Sequence, residues 1–167
     1  AVPIFAPDRS AYDLYMGNVN GADFQRVLDR ASQPSLRDDG QQIAFRRWAS
    51  DGRGIAVMDT YGGNLRTLSK FLEDGLPSYS PNSQTLVFSS AREPDRKGRI
   101  YQVNVSGGDD WQLQRGNDPV FGVSPDWLSN GLIVCKAEYP QQGIVVMNAD
   151  GSAPRPLADD ASAAAPV

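Results

Sequence analysis

Apolar residues in this chain come in short consecutive runs, fenced by Gly, Pro, Asn and Asp. Ile43-Ala44-Phe45, Leu86-Val87-Phe88, Leu132-Ile133-Val134-Cys135 and Ile144-Val145-Val146-Met147 are examples. A helix would place apolar residues at i, i+3 and i+4 over about ten positions or more. These runs stop too early for that, so they predict strands. Because their apolar positions are consecutive rather than alternating, they predict strands covered on both faces, as when sheets stack face against face.

The runs also recur. "DLYMGNVNGADFQRVL" (13–28) aligns with "GIAVMDTYGGNLRTL" (54–68), "RIYQVNVSGGDDWQLQ" (99–114) and "GIVVMNADGSAPRPL" (143–157). Leu14, Ile55, Ile100 and Ile144 share a column, as do Asn18, Asp59, Asn104 and Asn148. Gly21, Gly62, Gly107 and Gly151 form a third column, and Val27, Leu68, Leu113 and Leu157 a fourth. The glycines are 41, 45 and 44 residues apart, a spacing typical of solenoids, propellers and arrays. Asn20-Gly21, Gly62-Gly63, Gly107-Gly108 and Asp150-Gly151 predict two-residue type I′ hairpin turns, because such pairs accept positive φ.

A second pattern precedes the last three units. "PSLRDDGQQIAF" (34–45) aligns with "PSYSPNSQTLVF" (77–88), and "PDWLSNGLIV" (125–134) follows with two residues deleted. Each has a Pro, a large apolar residue (Leu36, Tyr79 or Trp127), a turn (Asp39-Gly40, Asn82-Ser83 or Asn130-Gly131) and an apolar strand. This is a second hairpin. Two hairpins per repeat make four short antiparallel strands, the blade of a β-propeller.

These motifs resemble the TolB-type propeller repeats, also called WD40-like or PD40 repeats. That pattern is roughly Pro-x-Trp-Ser-Pro-Asp-Gly, an Ile-Ala-Phe strand, a loop with Ser-x-Arg, then Ile-Tyr-Val-Met-Asn-x-Asp-Gly and Arg-x-Leu. The nearest matches are Pro77 to Pro81, Ile43-Ala44-Phe45, Ser89-Ser90-Ala91-Arg92 and Ile144 to Gly151. In one unit Arg37-Asp38 stands where the pattern has Ser-Pro. The resemblance covers nearly the whole chain. It implies a protein-interaction platform, often outside the cytoplasm or attached to larger envelope and signalling proteins, so a periplasmic or extracellular location is expected.

The expected fold is therefore all-β: one β-propeller domain over residues 1–167, with four repeats of four antiparallel strands. The expected blades are 158–167 with 1–28, then 33–68, 76–114 and 124–157. The last residues would supply the inner strand of the blade built from 3–28, closing the ring by pairing the N- and C-terminal segments and protecting their edges. Pro166 lies 41 residues after Pro125, and 37 positions separate Gly151 from Gly21 through the termini. A monomer is favoured. An eight-bladed ring of two chains and a piece of a longer array are the alternatives. A start at Ala1 fits a matured protein or an excised domain.

Composition narrows the function. The formal net charge of −4 opposes nucleic acid as the main partner, since phosphates need a basic field. No apolar stretch reaches the roughly 18 residues of a membrane helix. The chain has no histidine, which removes Ser-His-Asp and Cys-His catalysis and the commonest zinc ligand. The single Cys135 reads as a buried inert thiol. The acidic pairs Asp38-Asp39, Asp109-Asp110 and Asp159-Asp160 read as solvated turns or connections. "NADGS" lacks the Glu that would complete a calcium loop. No metal or cofactor is expected.

Function is expected on the loop face. Four loops join the second and third strands: 6–13, 46–54, 89–99 and 136–143. They carry 9 of the 16 basic residues in 36 positions of an acidic chain, with Trp48 and Tyr139 among them. The loops from fourth to first strand share that face and add Lys70, Phe71 and Glu73. Arg, Trp and Tyr dominate binding hot spots. Arg47, Trp48, Arg92, Arg96, Lys136, Tyr139 and Phe71 are thus candidate contacts for a protein or peptide. Local pairing such as Asp8-Arg9 or Asp95-Arg96 offers a plainer account, a solvated rim that orders the loops. A propeller gating a separate hydrolase, and a small-ligand or sugar receptor using the channel near Tyr79 and Trp127, are the other function classes.

Overall fold

The computed structural model describes residues 1–139 and 142–158. All strand pairing in it is antiparallel, and no described residue is helical. Strands β1 (Val2–Ala6), β2 (Ala11–Met16) and β3 (Gln25–Leu28) form the first sheet, in that order. The second sheet runs β4 (Ala31–Leu36), β5 (Gln42–Ala49), β6 (Gly52–Asp59), β7 (Arg66–Thr67). The third runs β8 (Gly75–Tyr79), β9 (Thr85–Ser90), β10 (Arg99–Asn104), β11 (Trp111–Gln112), with spatial order β11-β10-β9-β8. A small hairpin, β12 (Gln114–Arg115) and β13 (Asp118–Pro119), leads to the fourth sheet. That sheet is β14 (Val123–Trp127), β15 (Leu132–Ala137), β16 (Gly143–Asn148) and β17 (Arg155–Ala158).

Stacking explains the consecutive apolar runs. In β5, Ile43 and Phe45 join Leu14 and Met58 in a cluster between the first and second sheets, while Ala44 faces the third sheet. In β9, Leu86 and Phe88 pack on the second sheet with Val57, and Val87 packs on the fourth with Ile133. The middle strands of the second and third sheets are therefore buried on both sides. The three clusters join first to second, second to third and third to fourth sheet; none among the described residues joins fourth to first. The proposed ring-closing strand, 158–167, lies outside the described residues beyond Ala158, which ends β17.

The innermost strands share one device. β4, β8 and β14 each carry a register break, and Gln33, Leu76 and Ser124 there have φ of 54°, 55° and 50°. Each precedes a Pro of the repeat column. Proline cannot donate to a ladder, so it is tolerated in a strand only at an edge or bulge. Polar side chains then tie neighbouring inner strands: Leu76 N donates to Gln33 Oε1 at 2.9 Å, and Ser78 Oγ to Asp126 at 2.7 Å.

Two expectations need correction. The column turns are not two-residue type I′ turns. Gly21, Gly62, Gly107 and Gly151 donate N–H to the carbonyls of Asn18, Asp59, Asn104 and Asn148. Asn20, Gly63 and Asp150 lack positive φ. In the first, second and fourth units the N–H groups of Asn18, Asp59 and Asn148 donate back to Ala22, Gly63 and Ser152 O, giving three-residue loops, a type I turn followed by a left-handed glycine. In the third, Gly107 and Gly108 both have positive φ and the link to β11 is longer. The Asn/Asp column is the first position of that turn, which favours such residues. In addition, 46–54 is not a loop. β5 and β6 pair out to Ala49 and Gly52, so Arg46, Arg47 and Trp48 sit on a strand. Lys136 likewise lies on β15 and Arg99 on β10.

Candidate functional site

Antiparallel pairing brings the ends of β5, β9 and β15 to the same face as the links between sheets. Trp48 N donates to Arg30 O at 3.1 Å, and Gly122 N to Gly98 O at 3.0 Å. Arg46 Nη2 donates to Leu72 O at 2.6 Å, so the second sheet is tied to the link that leads into the third.

Around that link the structure gathers four of the candidate residues. The Arg92 guanidinium lies 4.3 Å from the centre of the Phe71 ring and 3.8 Å from that of Tyr101. It donates two hydrogen bonds to Asp110, at 2.5 and 3.1 Å. Asp74 is fully buried 3.7 Å from the same guanidinium, and neither of its oxygens is hydrogen-bonded. Burial pushes the Asp74 carboxyl above its ordinary pKa. Burial also works against the Arg92 charge, but the hydrogen bonds and the two carboxylates outweigh it and raise its pKa. Arg96 reaches back to Glu73 at 2.8 Å, and Trp48 sits under Arg46 at 5.7 Å. Phe71 remains 48% exposed, so an aromatic face with charged neighbours is open to solvent.

The other three candidates fall elsewhere. Arg47 is buried and paired with Asp51 at 2.9 Å. Lys136 pairs with Glu138 at 3.6 Å. Tyr139 joins a second group: Lys97 Nζ lies 3.7 Å from its ring centre, and Phe121 meets it edge to face at 5.1 Å. Arg99 lies 4.8 Å from the Phe121 ring and pairs with Asp95 at 2.7 Å, which holds the Asp95 carboxyl down at about 2.

The ordering role of ion pairs is therefore real. Six of the nine basic residues on this face (Arg9, Arg47, Arg92, Arg96, Arg99 and Lys136) have a carboxylate partner. The expected Asp8–Arg9 pair forms, whereas Asp95 takes Arg99 and not its neighbour Arg96. Asp110 is also corrected: it is no solvated turn residue but the main partner of Arg92, with 16% of its side chain exposed. Asp74 and Asp110 both face a guanidinium, which already holds the place a cation would take. Tyr101, Asp74 and Asp110 escaped sequence reasoning because only strand register brings them to Arg92.

No protein-family model matches the chain. Over 71 residues it is 32% identical to a Tol-Pal system protein TolB 1 of Novosphingobium aromaticivorans, covering 41% of this chain and 16% of that protein. Over 96 residues it is 27% identical to a Tol-Pal system protein TolB of Hydrogenovibrio crunogenus, covering 58% and 21%. Among solved structures, putative TolB from Agrobacterium tumefaciens matches with a TM-score of 0.73 at 19% identity, covering 95% of this chain and 61% of that one. TolB from Acinetobacter baumannii matches at 0.71 with 14% identity, covering 95% and 43%. An oligogalacturonate lyase in complex with manganese shares the fold at 0.63 and 13% identity, covering 89% and 46%. The matched stretches span about a fifth of the curated relatives, 16% and 21%. In its repeat sequence and in its stacked antiparallel sheets, the chain resembles the TolB-type β-propeller family.

Proposed function

We propose that this chain is a non-enzymatic recognition module that binds a protein or peptide on the face carrying Phe71, Arg92 and Trp48. The observation that supports it is the exposed Phe71 ring held rigidly by Arg92 beside the Glu73–Arg96 pair. A fixed aromatic flanked by both signs of charge suits a polypeptide, which offers apolar and charged groups together. The curated relatives are named as parts of the Tol-Pal system, and membership of a multi-protein system agrees with such a role. We place its action outside the cytoplasm, as the resemblance implies. No described helix is long and apolar enough to cross a membrane. The fold neighbours include enzymes, but with no histidine this chain cannot itself supply a Ser-His-Asp or Cys-His arrangement.

The test is selection of a displayed random peptide library on the purified chain, followed by titration of the enriched peptide. Phe71→Ala combined with Trp48→Ala is expected to weaken it by about thirtyfold, the equivalent of about 2 kcal/mol. Unchanged affinity, or no saturable peptide at all, rules out this face.

A further inference from the structure

One repeat column changes character in the fourth unit. Strand pairing puts Cys135 at the place of Phe45 and Phe88, since each lies opposite the residue that follows the column residues Ile55, Ile100 and Ile144. Phe45 and Phe88 are fully buried, each against the preceding sheet. Cys135 takes the same place between the third and fourth sheets. The cross-strand partners do not compensate. Phe45 faces Ala56 and Phe88 faces Tyr101, whereas Cys135 faces Val145. Where the third sheet has two stacked rings with centres 5.7 Å apart, the fourth has a thiol and an isopropyl group.

Cys135 is itself fully buried, and Gly122 packs so closely on it that a Cβ there would stand 2.9 Å from the thiol sulfur. A cavity of about 410 Å³ opens beside it, between the fourth sheet and the segment that leads into that sheet, lined by Val120, Phe121, Cys135, Val145 and Met147. Protein interiors hold few voids larger than a water, and an unfilled apolar one costs stability. A space of this size falls at the lower end of the roughly 300–1,000 Å³ of small-molecule sites. Its floor is uncharged, since burial pushes the Cys135 thiol up to about 12. Its rim carries Arg115, Arg155 and Asp118, a net positive charge, and among the described residues neither arginine is in an ion pair.

We infer that this cavity binds one small free amphiphile, an apolar body carrying a single anionic group. The body lies on the apolar lining of Phe121, Val145 and Met147, and the anion rests at the arginine rim. The site shares no residue with the Phe71–Arg92 group and does not depend on the peptide-binding reading.

Calorimetric titration with decanoate tests it, with 1-decanol as the neutral comparison. The unaltered chain is expected to take up one decanoate, saturably, with a raised Tm. Cys135→Phe restores the column residue and is expected to weaken decanoate at least tenfold in a folded protein. Should that variant not fold, Val145→Met fills the same space with less bulk and carries the same expectation. Arg115→Glu with Arg155→Glu is expected to weaken decanoate at least tenfold and leave decanol unchanged. The inference is overturned if the unaltered chain titrates nothing at millimolar decanoate, if a folded cavity-filling variant binds as before, or if the charge reversal affects neither or both ligands equally.

Discussion

Arg92 joins the link between the second and third sheets to the third sheet itself. Phe71 and Asp74 come from the link, Tyr101 from β10 and Asp110 from just before β11. Its side chain is 8% exposed, so its charge is sustained by partners and not by water. Removing it leaves Asp110 and Asp74 without their cation. Arg92→Ala is therefore expected to cost about 3–5 kcal/mol in urea unfolding, the usual penalty for orphaning a buried charge. Arg92→Lys keeps the charge but loses the planar fork and the stacked rings, and should fall in between. A loss below about 1 kcal/mol for the alanine variant would show that the cluster adds little to the fold.

At the level of elements, the turns between the first two strands of the second, third and fourth sheets repeat one chemistry with one exception. Gly40 and Gly131 close their hairpins with φ of 71° and 85°; Ser83 does the same job at 59°. A residue with a Cβ pays roughly 1–2 kcal/mol in that region. Ser83→Gly is thus expected to raise stability by about 0.5–1 kcal/mol in denaturant melts, and a loss would contradict the turn assignment. The repeat columns made strands, hairpins and two-sided burial legible, because each follows from local residue type. The kind of turn was not, since a left-handed glycine serves both a two- and a three-residue loop and only the accepting carbonyl tells them apart. The reach of β5 and β6 was hidden too: Arg46-Arg47-Trp48 reads as surface chemistry, yet Arg47 is buried against Asp51. Of the candidate site, Phe71, Arg92 and Trp48 were visible as residue types. Asp110 was misread because adjacent acids are usually solvated, and no local signal announces a partner 18 residues away.

For the whole molecule, the described residues form four sheets in series, each joined by a shared cluster only to its neighbours in the chain. Light scattering is expected to give the molar mass of a single chain; a strict dimer contradicts the monomer expected from the sequence. The three clusters, each shared by two adjacent sheets, carry a further consequence. Coupling through nearest neighbours alone means that an interior unit is anchored twice and the first sheet, among the described residues, once. Thermal fraying should begin at that outer unit and advance inward. By the same logic, one boundary could trade an aromatic for a thiol while the other boundaries kept their own fit.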